Sequence, residues 1–98
     1  MKKISLINKT IFVTGAAGFI GSNLIIRLLK ETSESTIVGI DCLTDYNPLE
    51  LKEYRLNQIE KTAKTSKSKW VWVKGDIADK GLIDYLFNTY RFNIVMNL

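Results

Sequence analysis

Thr10-Ile-Phe-Val-Thr-Gly-Ala-Ala-Gly-Phe-Ile-Gly21 is the stretch that decides the fold. An apolar run, Ile11-Phe12-Val13, meets glycines at positions 15, 18 and 21, and an apolar pattern at helical spacing follows. That order reads as a strand, a tight turn and the start of a helix. Gly15 permits the turn out of the strand. Gly18 removes a Cβ where a diphosphate would approach the helix N-terminus, and Gly21 lets the helix lie close on the sheet. Backbone N–H groups and the positive end of the helix dipole then face the ligand. A glycine triplet also occurs in turns that bind nothing, so the flanking strand and helix are what give it meaning.

Working outward, Thr10 to Thr14 is a continuous apolar strand suited to the buried middle of a parallel sheet. Gly18 to about Glu31 is a helix whose stripe is Ile20, Leu24, Ile25, Leu28 and Leu29. Ser33 to Ser35 reads as a polar break, Thr36 to Asp41 as a second strand, and Cys42 to Pro48 as a loop. Leu49 to about Ala63 reads as a second helix, with Pro48 near its start. Its Leu49, Leu56 and Ile59 are expected to face the sheet, and Lys52, Glu53 and Arg55 to face water. Lys69 to Gly75 is a third strand, with Trp70 and Trp72 on one face and Val71 and Val73 on the other. The two tryptophans read as core, in preference to stacking platforms. Asp79 is a plausible cap for a third helix to Tyr90, using Leu82, Ile83, Leu86 and Phe87. Phe92 to Leu98 is a fourth strand. The order β-α-β-α-β-α-β predicts an α/β protein: a partial doubly wound Rossmann fold, with right-handed crossovers and parallel sheet order 3-2-1-4.

The bulk composition narrows the function classes. The chain has 98 residues, 46% of them hydrophobic and 24% charged, as in an ordinary small globular domain. Its net charge is +4. Lys61, Lys64, Lys67 and Lys69 concentrate that charge without interleaved aromatics, which reads as a solvated helix end and not a nucleic-acid surface. A single cysteine excludes an internal disulfide and fits a reducing, cytoplasmic setting. The opening Met1-Lys-Lys-Ile-Ser-Leu-Ile-Asn-Lys9 has too broken an apolar stretch for a signal peptide, and no run is long enough to span a membrane. Histidine is absent, which rules out imidazole catalysis and histidine metal sites. No metal site is expected.

Asp41, at the end of the second strand, stands twenty positions beyond Gly21. An acid there accepts hydrogen bonds from adenosine ribose hydroxyls and repels a 2′-phosphate, so the cofactor read from the residues is NAD in preference to NADP. The simpler reading is an aspartate satisfying a turn. Cys42 beside it reads as a small side chain lining the adenosine pocket or buried, not as a reactive thiol. Asp76 and Ile77 follow the third strand at the carboxyl end of the sheet. Asp76 could accept from the adenine amino group while Ile77 packs on the ring, or Asp76 and Asp79 could both be turn and cap residues. The residues alone leave both readings open.

Thr14-Gly-Ala-Ala-Gly-Phe-Ile-Gly21 resembles the T-G-x-x-G-[FY]-[IL]-G fingerprint of the extended short-chain dehydrogenase/reductase superfamily, the NAD-dependent epimerases and dehydratases of nucleotide sugars. Asp41-Cys-Leu-Thr-Asp-Tyr-Asn47, with Leu51-Lys52 and Arg55-Leu56, is similar to the D-N-L-N-D-Y-Y stretch and L-K-x-x-R-L helix of UDP-glucuronate 4-epimerases. Lys74-Gly-Asp-Ile-Ala-Asp79 and Asn93-Ile-Val-Met-Asn-Leu98 resemble the next two blocks. The resemblance implies that Gly15, Gly18, Phe19, Ile20 and Gly21 hold the NAD pyrophosphate, Asp41 the ribose, and Asp76 with Ile77 the adenine. Cys42 stands where the family usually has Asn, which removes one hydrogen-bonding group.

The resemblance also implies a reaction: oxidation to a 4-keto sugar, rotation, and reduction from the other face. The family works through a tyrosine with a lysine four residues later. Four residues beyond Tyr46, Tyr54, Tyr85 and Tyr90 lie Glu50, Gln58, Thr89 and Ile94, so no catalytic residue is assigned in this chain. Residues 1–98 are expected to be the amino-terminal part of an NAD-binding Rossmann domain, without the catalytic and sugar-binding parts. Nucleotide sugar would then bind only to a longer parent protein. The alternatives are another nucleotide-sugar epimerase or dehydratase, or a non-catalytic NAD-sensing or interaction module. With two helices on one sheet face and one on the other, the fourth strand is expected to be a bare edge that joins copies into a homodimer or higher oligomer.

Overall fold

The computed structural model describes residues 7–43 and 49–98; the expectations for Pro48 and the side chain of Leu49 lie outside the described residues. Strands β1 (Thr10–Thr14), β2 (Ser33–Asp41), β3 (Lys67–Lys74) and β4 (Ile94–Met96) alternate with helices α1 (Phe19–Glu31), α2 (Leu49–Thr65) and α3 (Lys80–Tyr90). The sheet is parallel throughout, in the order β3-β2-β1-β4. Register follows the apolar runs: Ile11, Phe12 and Val13 face Ile37, Val38 and Gly39 on one side and Ile94, Val95 and Met96 on the other.

Alternation along the strands divides the core between two faces. Ile11, Val13 and Ile37 join Ile25, Leu28 and Leu29 of α1 and Ile59 of α2, with Trp70 and Trp72 packed against them. Phe12, Val38 and Ile40 pack with Leu86 of α3, flanked by Val71, Val73, Leu82 and Ile83. Phe92 precedes β4 and stacks on Phe12 at 4.7 Å between ring centroids, while Phe87 meets both rings edge-on. Asp79 caps α3 by accepting from Leu82 N.

Four expectations change. Ser33–Ser35 belongs to β2, which absorbs a register shift between Ser33 and Thr36 with Glu34 at φ 54°. Of these three, Ser35 is buried and satisfied: its hydroxyl accepts from Lys9 N, and Ser68 Oγ accepts from Ser35 N. β4 is shorter than its apolar run. Ile20 is 68% exposed. At 3.6 residues per turn it lies about 100° from Gly21, off the face that Gly21, Ile25 and Leu28 bury. Finally, Lys52 and Arg55 do not face water: Lys52 is buried and Arg55 half-buried.

Candidate nucleotide site at the carboxyl end of the sheet

The turn after β1 is fixed from several sides. Gly15 has φ +65°, the left-handed region that favours glycine. Its carbonyl accepts from Gly18 N at 3.0 Å, and Ala16 N donates to Ile40 O at 3.1 Å. Gly18 is the N-cap of α1, with extended backbone and no side-chain cap, and the first helical turn carries no acid. The leading N–H groups of a helix have no intrahelical acceptor. The turn therefore ends in a row of open donors at the positive end of a 13-residue helix. A Cβ on Gly18 would stand 3.2 Å from Gly15 O, narrowing the approach to those donors.

Asp41 closes the same corner from β2. It is 8% exposed. Its Oδ2 accepts from Ala17 N at 3.0 Å, inside the glycine turn. Its Oδ1 accepts from Leu43 N at 2.8 Å and from the Lys52 ammonium at 3.1 Å. A carboxylate has about four lone-pair sites, so one acceptor position remains. Asp41 thus satisfies the turn around it with three of those four sites. Arg55, one turn beyond Lys52, donates to Ala17 O at 3.3 Å and lies over the Phe19 ring at 5.9 Å. Ala17 is held at its N–H by Asp41 and at its C=O by Arg55.

The remaining sequence-derived residues divide. Phe19, 69% exposed, and Ile20 flank the open helix end, with Phe19 under Arg55. Ile77 is 55% exposed, so an apolar side chain stands open after β3. Asp76 accepts from Ala78 N at 2.8 Å and its carbonyl from Asp79 N at 2.9 Å, a turn that leaves the side chain exposed. Cys42 is exposed, not buried, because β2 ends before it. Two of the three residues that sequence reasoning placed in solvent, Lys52 and Arg55, are the ones that tie α2 to the turn.

A cavity of about 680 Å³ lies at the opposite end of the sheet, between the last turns of α1 and α2. Four of its hydroxyls donate to helix carbonyls: Thr32 to Leu28 O, Thr62 to Gln58 O, Thr65 to Thr62 O and Ser66 to Leu29 O. Two helix C-termini meet there, so the lysines around it answer negative dipole ends. Among the described residues no cluster of metal-ligating side chains occurs, and no helix is long and apolar enough to cross a membrane.

Comparison with known proteins agrees with this geometry. The model of the GDP-mannose 4,6 dehydratase family matches residues 12–98. A trifunctional UDP-glucose 4,6-dehydratase/epimerase/reductase from Arabidopsis thaliana is 34% identical over 89 residues, covering 91% of this chain and 12% of that protein. A UDP-glucuronate 4-epimerase from the same plant is 36% identical over 89 residues, covering 91% of this chain and 18% of its own length. The structure of UDP-glucuronic acid 4-epimerase from Bacillus cereus, solved with UDP-glucuronic acid and NAD, is 31% identical with a TM-score of 0.68, over 91% of this chain and 26% of that one. The chain thus spans roughly an eighth to a quarter of the length of these relatives.

Proposed function

Because this chain belongs to the GDP-mannose 4,6 dehydratase family, we propose that it forms the adenosine and pyrophosphate half of the NAD site of a nucleotide-sugar epimerase or dehydratase. The observation that carries the reading is the corner where the uncapped start of α1, the Gly15 turn and the Asp41 carboxylate converge, with Asp41 3.0 Å from Ala17 N. Those groups fit the ligand: donors for a diphosphate and a spare acceptor for a ribose. Gly15, Gly18 and Gly21 shape the diphosphate cradle, Phe19 and Ile20 flank it, and Asp41 takes the ribose. Ile77 offers an apolar face to the adenine, with Asp76 beside it. Bound NAD supplies reversible hydride acceptance. This chain's own part is to orient the adenosine end, since none of its tyrosines has a lysine four residues on.

Within the family, the reading we favour for the longer protein is C4 epimerisation of UDP-glucuronate. Its support is the Asp41-to-Leu56 pattern and the likeness to the Bacillus cereus enzyme. Dehydratases are equally near relatives, so the substrate rests on this pattern and that likeness together. Calorimetric titration of the chain with NAD tests the cofactor reading. Weak binding that Gly18→Leu abolishes is expected; binding unaffected by that replacement would overturn it. Assay of the longer gene product on UDP-glucuronate and on nucleotide glucose separates epimerase from dehydratase. Activity with neither sugar would favour a non-catalytic NAD-binding module.

A further inference from the structure

We propose that Lys52 sets how strongly this site distinguishes a free 2′-hydroxyl from a 2′-phosphate on the adenosine ribose. The proposal rests on the NAD reading above and goes beyond it. An acid at the end of the second strand of such a fold is ordinarily a lone negative charge that turns a 2′-phosphate away. Asp41 is not alone. The Lys52 ammonium sits 3.1 Å from its Oδ1, and both side chains are almost entirely withdrawn from water. Arg55, three residues on along the same helix, binds the carbonyl of the residue whose N–H binds Asp41. One carboxylate and two cations give this corner a net charge of +1, taken over those three side chains.

Two consequences follow. Buried charges are screened little by salt, so the ammonium cancels most of the carboxylate's field at the ribose. A 2′-phosphate therefore meets no net negative charge. What still rejects it is chemistry: Asp41 can only accept, and a phosphate oxygen has no proton to give it where a 2′-hydroxyl has one. Lys52 thus leaves the preference for the free hydroxyl standing on a hydrogen bond and narrows it. Burying an ammonium also costs solvation that a methionine in the same place would not. Packing alone does not account for a lysine on the sheet-facing side of α2.

The test titrates the chain with ADP-ribose and with its 2′-phosphate, two probes that differ by one group and need no nicotinamide half. The reading is the ratio of their dissociation constants in four proteins: wild type, Lys52→Met, Asp41→Asn and the double variant. Removing one charge beside a dianion should shift the ratio roughly ten-fold. Lys52→Met should move it toward ADP-ribose, Asp41→Asn toward the 2′-phosphate, and the double variant should return near wild type. A ratio unmoved by Lys52→Met, with both probes still binding, overturns the role of Lys52 alone. Failure of ADP-ribose to bind the wild type overturns the cofactor reading as well. Should Lys52→Met not fold, the double variant leaves no orphaned buried charge, and comparison with Asp41→Asn decides: equal ratios overturn the proposal.

Discussion

Replacing Gly21 with alanine should damage the fold far more than the same change three residues earlier. Gly21 is buried in the first turn of α1. A Cβ there would meet the Gly15 carbonyl oxygen well inside contact distance, with Gly15 C at 2.9 Å and Ala16 Cα at 3.4 Å. All three are backbone atoms of a turn that is itself pinned by Ala16 N to Ile40 O, Gly18 N to Gly15 O and Ala17 N to Asp41. Neither partner can yield cheaply, so the helix must lift from the sheet. Overpacking of this kind costs about 1–3 kcal/mol, and an obstacle made of fixed backbone puts it near ~3. Alanine returns ~1 kcal/mol of helix propensity. The net loss is about 2 kcal/mol, or roughly 8–16 °C in melting temperature for a domain of this size. At Gly18 the new Cβ would stand 3.2 Å from Gly15 O on an extended backbone, and the loss should stay near ~1 kcal/mol, that of a poorer cap. Thermal and urea unfolding followed by circular dichroism measures both. A Gly21→Ala melt within a degree or two of wild type, or a Gly18→Ala loss as large, would refute the reasoning.

Asp41→Ala should cost about 3–5 kcal/mol in urea unfolding because it strands the buried Lys52 ammonium, and adding Lys52→Met should restore part of that loss; an additive double variant would sink the pairing argument. Asp79→Ala should cost about 1 kcal/mol through the lost bond to Leu82 N, again by urea unfolding, and a neutral result would mean the cap is replaced by water. The purified chain should not turn over UDP-glucuronate, and product formed by contaminant-free material would show a base other than the tyrosine–lysine pair. Val95 on β4, which has a strand partner on one side only, and Leu98 beyond it are exposed, so the 98-residue chain should self-associate through this edge. Light scattering that shows a monomer at high micromolar concentration would contradict that.

Strand and helix order was legible because the apolar runs carry the period of their elements and Gly15 and Asp79 mark a turn and a cap. Gly15, Gly18 and Asp41 were legible as a corner because their spacing is that of a strand, a turn and a second strand end. The limits of the elements were less so. Ser33–Ser35 looks like a loop in composition, and only its pairing with β3, Ser33 opposite Lys67, makes it strand. Gly39 drew no notice in the sequence, yet a Cβ there would stand 2.8 Å from that of Ala16 and run into the Trp70 ring. Its reason lies across the sheet, where no local pattern reaches.

Lys52 is a different kind of miss, because the signal was present. Positions 52, 56, 59 and 63 recur at helical spacing, so Lys52 shares the stripe of Leu56, Ile59 and Ala63, all packed toward the sheet. Charge was read before position. A lysine on a buried stripe needs an acid within reach of its ammonium. The first turn of α2 is fed from β2, whose last residue is Asp41, and helices that follow parallel strands begin near the strands' carboxyl ends. The pairing of residues 41 and 52 therefore follows from periodicity and connectivity together. The same argument explains why Glu53, one step off the stripe, is exposed. It also explains why the site reaches past its glycines: the helix that covers the sheet carries the charge that balances the acid at its edge.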